Sequence, residues 1–314
     1  MTKDRFEGRE CSSCKGKNLE ITAYTNRKTK LGELEISRAL PIREHRLVGP
    51  WCFLDRFGPL TFKGGIPMNV PPHPHIGLQT VTWLLEGEIL HRDSIDSEAV
   101  VRPGGVNVMT SGDGIAHAEM TPGDNSGQLN GVQLWVALPE EHRNRKPSFE
   151  AILEVPTVNI DGGNIQLFAG TFGKTISPGT FYSELIGLDL EVLPGKQMEF
   201  RVNPAFEHAT LVLNGNCSLQ DQPLELRKLY YLGPGRDCLS IHSQNSCRLL
   251  LIGGIPFKEE ILMWWNFVAR TPQEIAQARS DWEETDLFGK VQGNFETRLS
   301  APSLSRFAQP NPVS

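Results

Sequence analysis

Glycine and proline punctuate the whole chain, 30 and 22 times in 314 residues, and leave few stretches long enough for a helix of ordinary length. Between these breakers lie short runs such as TVTWLLEG (80–87), EILHRDS (88–94), GGVNVMTSG (104–112) and GVQLWVAL (131–138). They are rich in β-branched and aromatic residues and alternate partly with period two, the pattern of half-buried strands. In the last run Val132, Leu134 and Val136 share one face. Leu85-Glu86-Gly87-Glu88 separates two such runs and reads as a hairpin turn.

The second half repeats the style with IQLFAG (165–170), YSELIGLDLEV (182–192), QMEFRV (197–202), ATLVLNGNCSL (209–219), LYYLG (229–233) and RLLLIGG (248–254). Two features echo the first half. A strand runs into a glycine turn in WLLEGE and again in LVLNGN, and Pro103-Gly104 is matched by Pro194-Gly195. Short strands at about ten-residue spacing imply antiparallel sandwiches or barrels. The polar stretch PEEHRNRKPSFE (139–150) is the best linker candidate, so the expectation is an all-β chain of two similar domains. One helix has clear boundary signals: Thr271 as cap, Pro272 at the first position and Glu274 completing a capping box before QEIAQARSDW. The stretch from Gly289 to Ser314 reads as a loose surface strap, and Trp264 and Trp265, if on a strand, as side chains on opposite faces.

Composition narrows the function classes. Thirty-one basic against 37 acidic residues give a net charge of −6, with no broad footprint for nucleic acid. No run approaches 18 consecutive apolar residues, and MTKDRFEGRE is charged where a signal peptide needs an apolar stretch. A cytoplasmic protein without a membrane partner is the expectation. Six cysteines make no disulfide scaffold. Cys11 and Cys14 form one CxxC, read as a labile thiol pair, with a redox pair or a half-site completed by another chain as alternatives. Cys217, Cys238 and Cys247 read as small core fillers.

Four of the eight histidines, His73, His75, His91 and His117, fall in one 45-residue window. His73 and His75 are two apart, so on an extended backbone both leave the same face, and His117 and Glu119 have the same spacing. Two facing segments of this kind can bring three imidazoles and a carboxylate to one divalent metal per chain. Such a set suits Fe(II) best and also Mn, Co, Ni, Cu or Zn. Packing and hydrogen bonding of buried histidines is the alternative reading. His91 is a candidate for the pocket mouth, or an ordinary barrel histidine, and Met109 a cavity-lining or core residue. Asp55 and Arg56 read as a polar pair at the barrel edge, and Asp113 as a structural residue of the loop before His117.

In DRFGP (55–59), HPHIGLQTVTWLLEGEILHRDS (73–94), VRPGGVNVMTSGDGIAHAE (101–119) and GVQLWV (131–136), the sequence resembles the pirin family of bicupins. The resemblance runs from roughly residue 30 to 285, and NFVARTPQEIAQARSDW (266–282) is similar to the helix-bearing end of bacterial members. It implies two tandem cupin-type barrels with a short C-terminal helix. The corresponding division is an N-terminal extension (1–29), a metal-binding barrel (30–145), a barrel without a complete site (146–265) and a helix with a loose tail (266–314). It also implies a metal, usually iron, held by His73, His75, His117 and Glu119, whereas the second barrel offers only His208 and His242. Gln79 stands where ordinary cupins have a ligating glutamate, and so is expected to alter the surroundings of the metal and not its ligand count.

Some family members cleave flavonols as quercetin 2,3-dioxygenases do, inserting both atoms of O2, opening the central ring and releasing CO. The resemblance therefore implies a small flavonol-like substrate and O2, with Glu119 as the catalytic base. Other members are non-catalytic regulators that respond to redox state through the iron and act by contact with a protein partner. The sequence carries both readings.

Overall fold

The computed structural model describes residues 20–31, 34–65, 67–293, 295 and 297–304. Cys11, Cys14 and the end of the expected strap lie outside the described residues. The chain divides into two compact units, neither of them continuous in sequence. The first comprises Lys28–Arg38, Cys52–Leu153 and the chain from Lys258 onward. The second comprises the described residues up to Arg27, Ala39–Trp51 and Glu154–Phe257. The switch at Leu153 and Glu154 falls eight residues after the 145/146 boundary expected from the linker. The segment after 265, expected as an appendage, groups with the first unit.

Each unit is built on a pair of antiparallel sheets, and the first also carries a two-stranded sheet of Leu262–Trp264 and Phe267–Ala269. In the first, a seven-stranded sheet runs in the order Ser148–Ile152, Val106–Thr110, Leu78–Gly87, Gln128–Ala137, Trp51–Thr61, Leu34–Leu40, Arg27–Leu31. A four-stranded sheet runs Asn69–His75, Ile115–Met120, Ile89–Asp93, Glu98–Val101. Leu34, Phe57, Leu84 and Leu129 from the larger sheet and Val70, Ile89 and Val101 from the smaller form one buried cluster, so the sheets pack face to face. The second unit repeats this plan. Its large sheet follows Thr22–Thr25, Lys228–Gly233, Glu207–Asn214, Cys247–Gly254, Leu185–Val192, Gly163–Phe172, Thr157–Ile160, with Thr175–Ile176 paired to the side. Its small sheet follows Gln197–Arg201, Cys238–Ser243, Cys217–Leu219, Gln222–Leu224. The two orders match strand for strand, and the chain steps between sheets in the same way, except at one edge: Ser148–Ile152 follows the other strands of its unit, whereas Thr22–Thr25, in the same place, precedes them all.

This plan corrects the turn at 85–88. Leu78–Gly87 and Ile89–Asp93 are not a hairpin but lie in different sheets, and Gly87 is the corner between them. Its φ of +87° and a Cβ that would stand 2.1 Å from the Gln128 carbonyl oxygen leave only glycine able to make that corner. Gly215, at φ +77° with a virtual Cβ 2.2 Å from the Ser246 oxygen, makes the same corner in the second unit. The WLLEGE and LVLNGN echo therefore marks equivalent positions. The proline–glycine echo does not: Pro103-Gly104 precedes Val106–Thr110, whereas Pro194-Gly195 precedes Gln197–Arg201, a strand with a different place in its unit.

The helix spans Pro272–Glu284 with Thr271 as its cap, and Thr271 Oγ1 accepts from the Glu274 N–H at 3.2 Å. The reciprocal half of the box is shifted by one residue. Glu274 accepts from the Arg270 N–H and is held by both terminal nitrogens of Arg143. Arg143 belongs to the presumed linker, whose end, Ser148–Ile152, is an edge strand, so this stretch is built into the first unit. The described part of the strap is also tied down. The Leu299 N–H donates to the Pro72 oxygen at 2.9 Å, the Leu299 oxygen accepts from Trp282 Nε1 at 2.7 Å, and Ala301 is buried. Trp264 and Trp265 do not alternate, because Trp265 sits in a turn at φ +52°. Both rings are half-buried against one cluster with Phe267. Among the described residues no helix is long and apolar enough to cross a membrane.

Candidate metal centre

The sequence VPPHPH forms most of Asn69–His75, an edge strand of the small sheet. Three prolines are tolerable there because an edge has one side of its backbone without ladder partners. Its inner neighbour Ile115–Met120 carries IAHAEM and pairs His117 with His73 and Ile115 with His75. The period-two rule then turns both histidines of the first strand, and His117 of the second, into the same buried space. All three imidazoles are at least nine-tenths buried, and one ligand nitrogen from each lies within 4.8 Å of the others. No other group of three or more such side chains is close enough to hold a metal among the described residues.

The hydrogen bonds fix which nitrogen faces the common point. His73 Nδ1 is 2.9 Å from the Pro71 oxygen and His75 Nδ1 is 3.0 Å from the Asn266 oxygen, so each Nδ1 carries the proton and donates. Each Nε2 is left with a lone pair. His117 Nδ1 lies 3.3 Å from His91 Nδ1, and His91 Nε2 lies 3.1 Å from Asp93 Oδ2. Asp93 Oδ1 is held by the N–H groups of Ile95 and Ser97. A carboxylate at the far end requires His91 Nε2 to donate, and in a neutral His91 this leaves Nδ1 to accept from His117 Nδ1. The third Nε2 is then also a bare lone pair. His75 Nε2 and His117 Nε2 stand 3.0 Å apart, close enough to share a proton or to take a cation in its place.

Electrostatics keep these ligands in the form a metal requires. Burial, helped by the neighbouring imidazoles, lowers the basicity of His75 and His117 well below the ordinary range, and burial pushes His73 down to about 4. All three stay neutral near pH 7. Burial opposes the charge of Asp93, but the hydrogen bonds from His91 and Ser97 outweigh it and hold its carboxyl below the usual range. Burial raises the carboxyl of Glu119.

Glu119 lies one step beyond the triad. A register shift between His117 and Glu119 sets it opposite Val70, and its Oε1 accepts from Thr82 Oγ1 at 3.4 Å. Its carboxylate is buried but does not join the group of mutually close ligand atoms. His91 is buried, stacked on Phe149 with centroids 4.1 Å apart, and stands behind His117. Gln79 is buried and donates from Nε2 to Thr110 Oγ1 at 2.9 Å, while Met109 is buried on the next strand. Asp55 accepts both bonds of a bidentate pair with Arg38, and its neighbour Arg56 donates to the Phe57 oxygen and to Asn130. Asp93 went unnoticed in the sequence, although His91 and Asp93 have the spacing that drew attention to HPH and HAE.

Fold and site together define a bicupin with a histidine triad able to hold a metal inside its first unit. Two profiles, Pirin and Pirin C-terminal cupin domain, match residues 33–136 and 187–288. A Pseudomonas aeruginosa protein named "putative quercetin 2,3-dioxygenase" is 42% identical over 87% of this chain and 87% of its own. A Caulobacter vibrioides pirin-like protein is 38% identical over 83% and 92%. The chain belongs to the pirin family. The crystal structure of a quercetin 2,3-dioxygenase from Acinetobacter baumannii superposes with a TM-score of 0.89 at 39% identity, covering 92% of this chain and 97% of that one.

Proposed function

We propose that the protein is a mononuclear metal-dependent dioxygenase acting on a flavonol-like substrate with O2. The observation that carries this reading is the convergence of three Nε2 lone pairs in a buried space beside a carboxylate of raised basicity. His73, His75 and His117 would hold the metal, with Glu119 as the fourth ligand or its neighbour. An all-nitrogen and oxygen set favours Fe(II) over a structural zinc site. When bound, the metal supplies a Lewis acid for a substrate hydroxyl and an open position for O2 chemistry.

The chain's own residues do the rest. Glu119 takes the proton of the flavonol hydroxyl, and its burial, which raises the carboxyl above its ordinary value, favours holding that proton. The one hydroxyl proton of Thr82 is shared between Gln133 Oε1 at 2.9 Å and Glu119 Oε1 at 3.4 Å, and helps to orient Glu119. The Asp93–His91 pair fixes the ring of His117. Two relatives of more than 35% identity, one by name and one by crystal structure, are associated with quercetin 2,3-dioxygenase, which supports this substrate class.

The test is quercetin-dependent O2 uptake on protein as purified, after chelation, and after reloading with Fe(II), alongside Glu119→Gln. Uptake is expected to vanish on chelation and to return with Fe(II). In Glu119→Gln it is expected to fall by about 100-fold with the metal retained, the usual yield of a positioned base. About one metal per chain without uptake in the wild type would remove the oxygenase reading and favour a regulatory role for the same centre.

A further inference from the structure

The second unit keeps a cavity of about 500 Å³ at the end of its interior where the first unit carries the triad. The correspondence is topological. Arg201 and Val202 close the strand that matches Asn69–His75, and His208 lies on the strand that matches Leu78–Gly87. Where the first unit turns histidines inward on the paired strands, the second turns in Met198, Phe200, Leu239 and Ile241, and His242 is exposed. The second cavity is therefore no metal site, but its end of the barrel is open.

Its walls are mixed: Phe172, Val202 and Phe206 are continuous with the core of the unit, while Ser177, Ser183 and Asn203 add polar groups. His208 is among the residues that line it, fully buried, and among the described residues neither ring nitrogen has a hydrogen-bond partner. Leaving such a group unpaired is costly, and protein interiors rarely do so. Burial and the nearby Arg236 guanidinium push the imidazole down to about 4, so it is neutral and offers one donor and one acceptor. A hydroxyl group complements that pair. At the rim stand Arg201, half-buried and without an ion pair among the described residues, the exposed Lys174, and one acid, Glu184.

We propose that this cavity is a second, metal-independent site for a small phenolic carboxylate, with its ring between Phe172 and Phe206, its hydroxyl on His208 and its carboxylate on Arg201. The proposal does not rest on the reaction assigned to the first unit. Calorimetric titration of the full chain, freed of metal, with 4-hydroxybenzoate and 4-hydroxycinnamate tests it.

Saturable binding of at least one of them at one site per chain is expected. Arg201→Gln and His208→Phe should each weaken it by about tenfold or more, the scale of a lost charge-assisted or buried hydrogen bond. Benzoate and 4-hydroxybenzyl alcohol, which lack one of the two polar groups, should bind correspondingly worse. Arg201 is half exposed, so Arg201→Gln preserves the comparison even if His208→Phe does not fold. No saturable binding of either acid, or unchanged affinity in Arg201→Gln, overturns the proposal. Binding abolished by reloading Fe(II) would assign it to the first unit and overturn it equally.

Discussion

At the scale of single residues, one spacing rule recurs three times. HPH, HAE and the His91–Asp93 step each place two side chains on one face of a strand, and the small sheet sets these faces side by side. The triad was legible in the sequence because an i, i+2 repeat survives any uncertainty in strand boundaries. What was not legible was the chain of tautomers, since the Pro71 and Asn266 oxygens and His91 become partners only through pairing. Replacing Asp93 by Asn keeps the turn acceptor for Ile95 and Ser97 but weakens the acceptor that orients His91. Metal affinity is expected to fall by about tenfold in a chelator competition, and an unchanged affinity would show that His91 is held by other contacts. His208 gives a pH signature of its own. Its basicity is about 4 in the folded protein and about 6.5 in the unfolded chain, so the unfolded state takes up the proton first as pH falls. Its contribution is full above pH 6.5, is lost between about 6.5 and 4, and levels off below, on the order of 3 kcal/mol in all. Urea titrations should therefore show a shallower acid decline for His208→Gln than for wild type, and parallel curves would contradict this assignment.

At the scale of elements, the glycine corners carry the architecture. The sequence showed Gly87 and Gly215 as repeated turns, but a turn between two strands looks the same whether the strands pair or part. Only the sheet order reveals that they part. Gly87→Ala and Gly215→Ala each force a Cβ onto a carbonyl oxygen at positive φ. Each is expected to cost upwards of about 1 kcal/mol, visible as a lower melting temperature, and a neutral outcome at either would mean the corner can relax. The helix was the element read most closely. Its cap is as expected, yet Glu274 serves Arg270 and Arg143 because a side chain from 131 residues earlier in the sequence competes for it. The strap and the linker were misread for a related reason. Polar composition reports exposure of side chains, and Leu299 and Ser148–Ile152 are held through backbone groups that composition does not reveal.

At the scale of the molecule, one two-sheet plan is used twice with different interiors, polar around the triad in the first unit and apolar down to His208 in the second. On the proposed metal-dependent reading, loading with Fe(II) should slow amide exchange in Asn69–His75 and Ile115–Met120 and leave Lys228–Gly233 and Cys247–Gly254 as they were. Equal slowing in both sets would place a second metal in the second unit. The two-domain character was legible because strand-rich stretches repeat on either side of a polar interval. The interleaving of the units was not, since no local pattern tells a strand which distant partner it will take.

That interleaving bears on how the chain is made. Thr22–Thr25 leaves the ribosome some two hundred residues before its partner Lys228–Gly233. At a usual synthesis speed the early strand waits on the order of ten seconds or more with its backbone groups unclaimed. A gene fragment beginning at the polar interval would encode a second unit with the edge of Lys228–Gly233 bare, an invitation to intermolecular pairing. Anyone wishing to study that unit in isolation would do better to graft the early strand onto the end of the fragment than to cut where the sequence suggests.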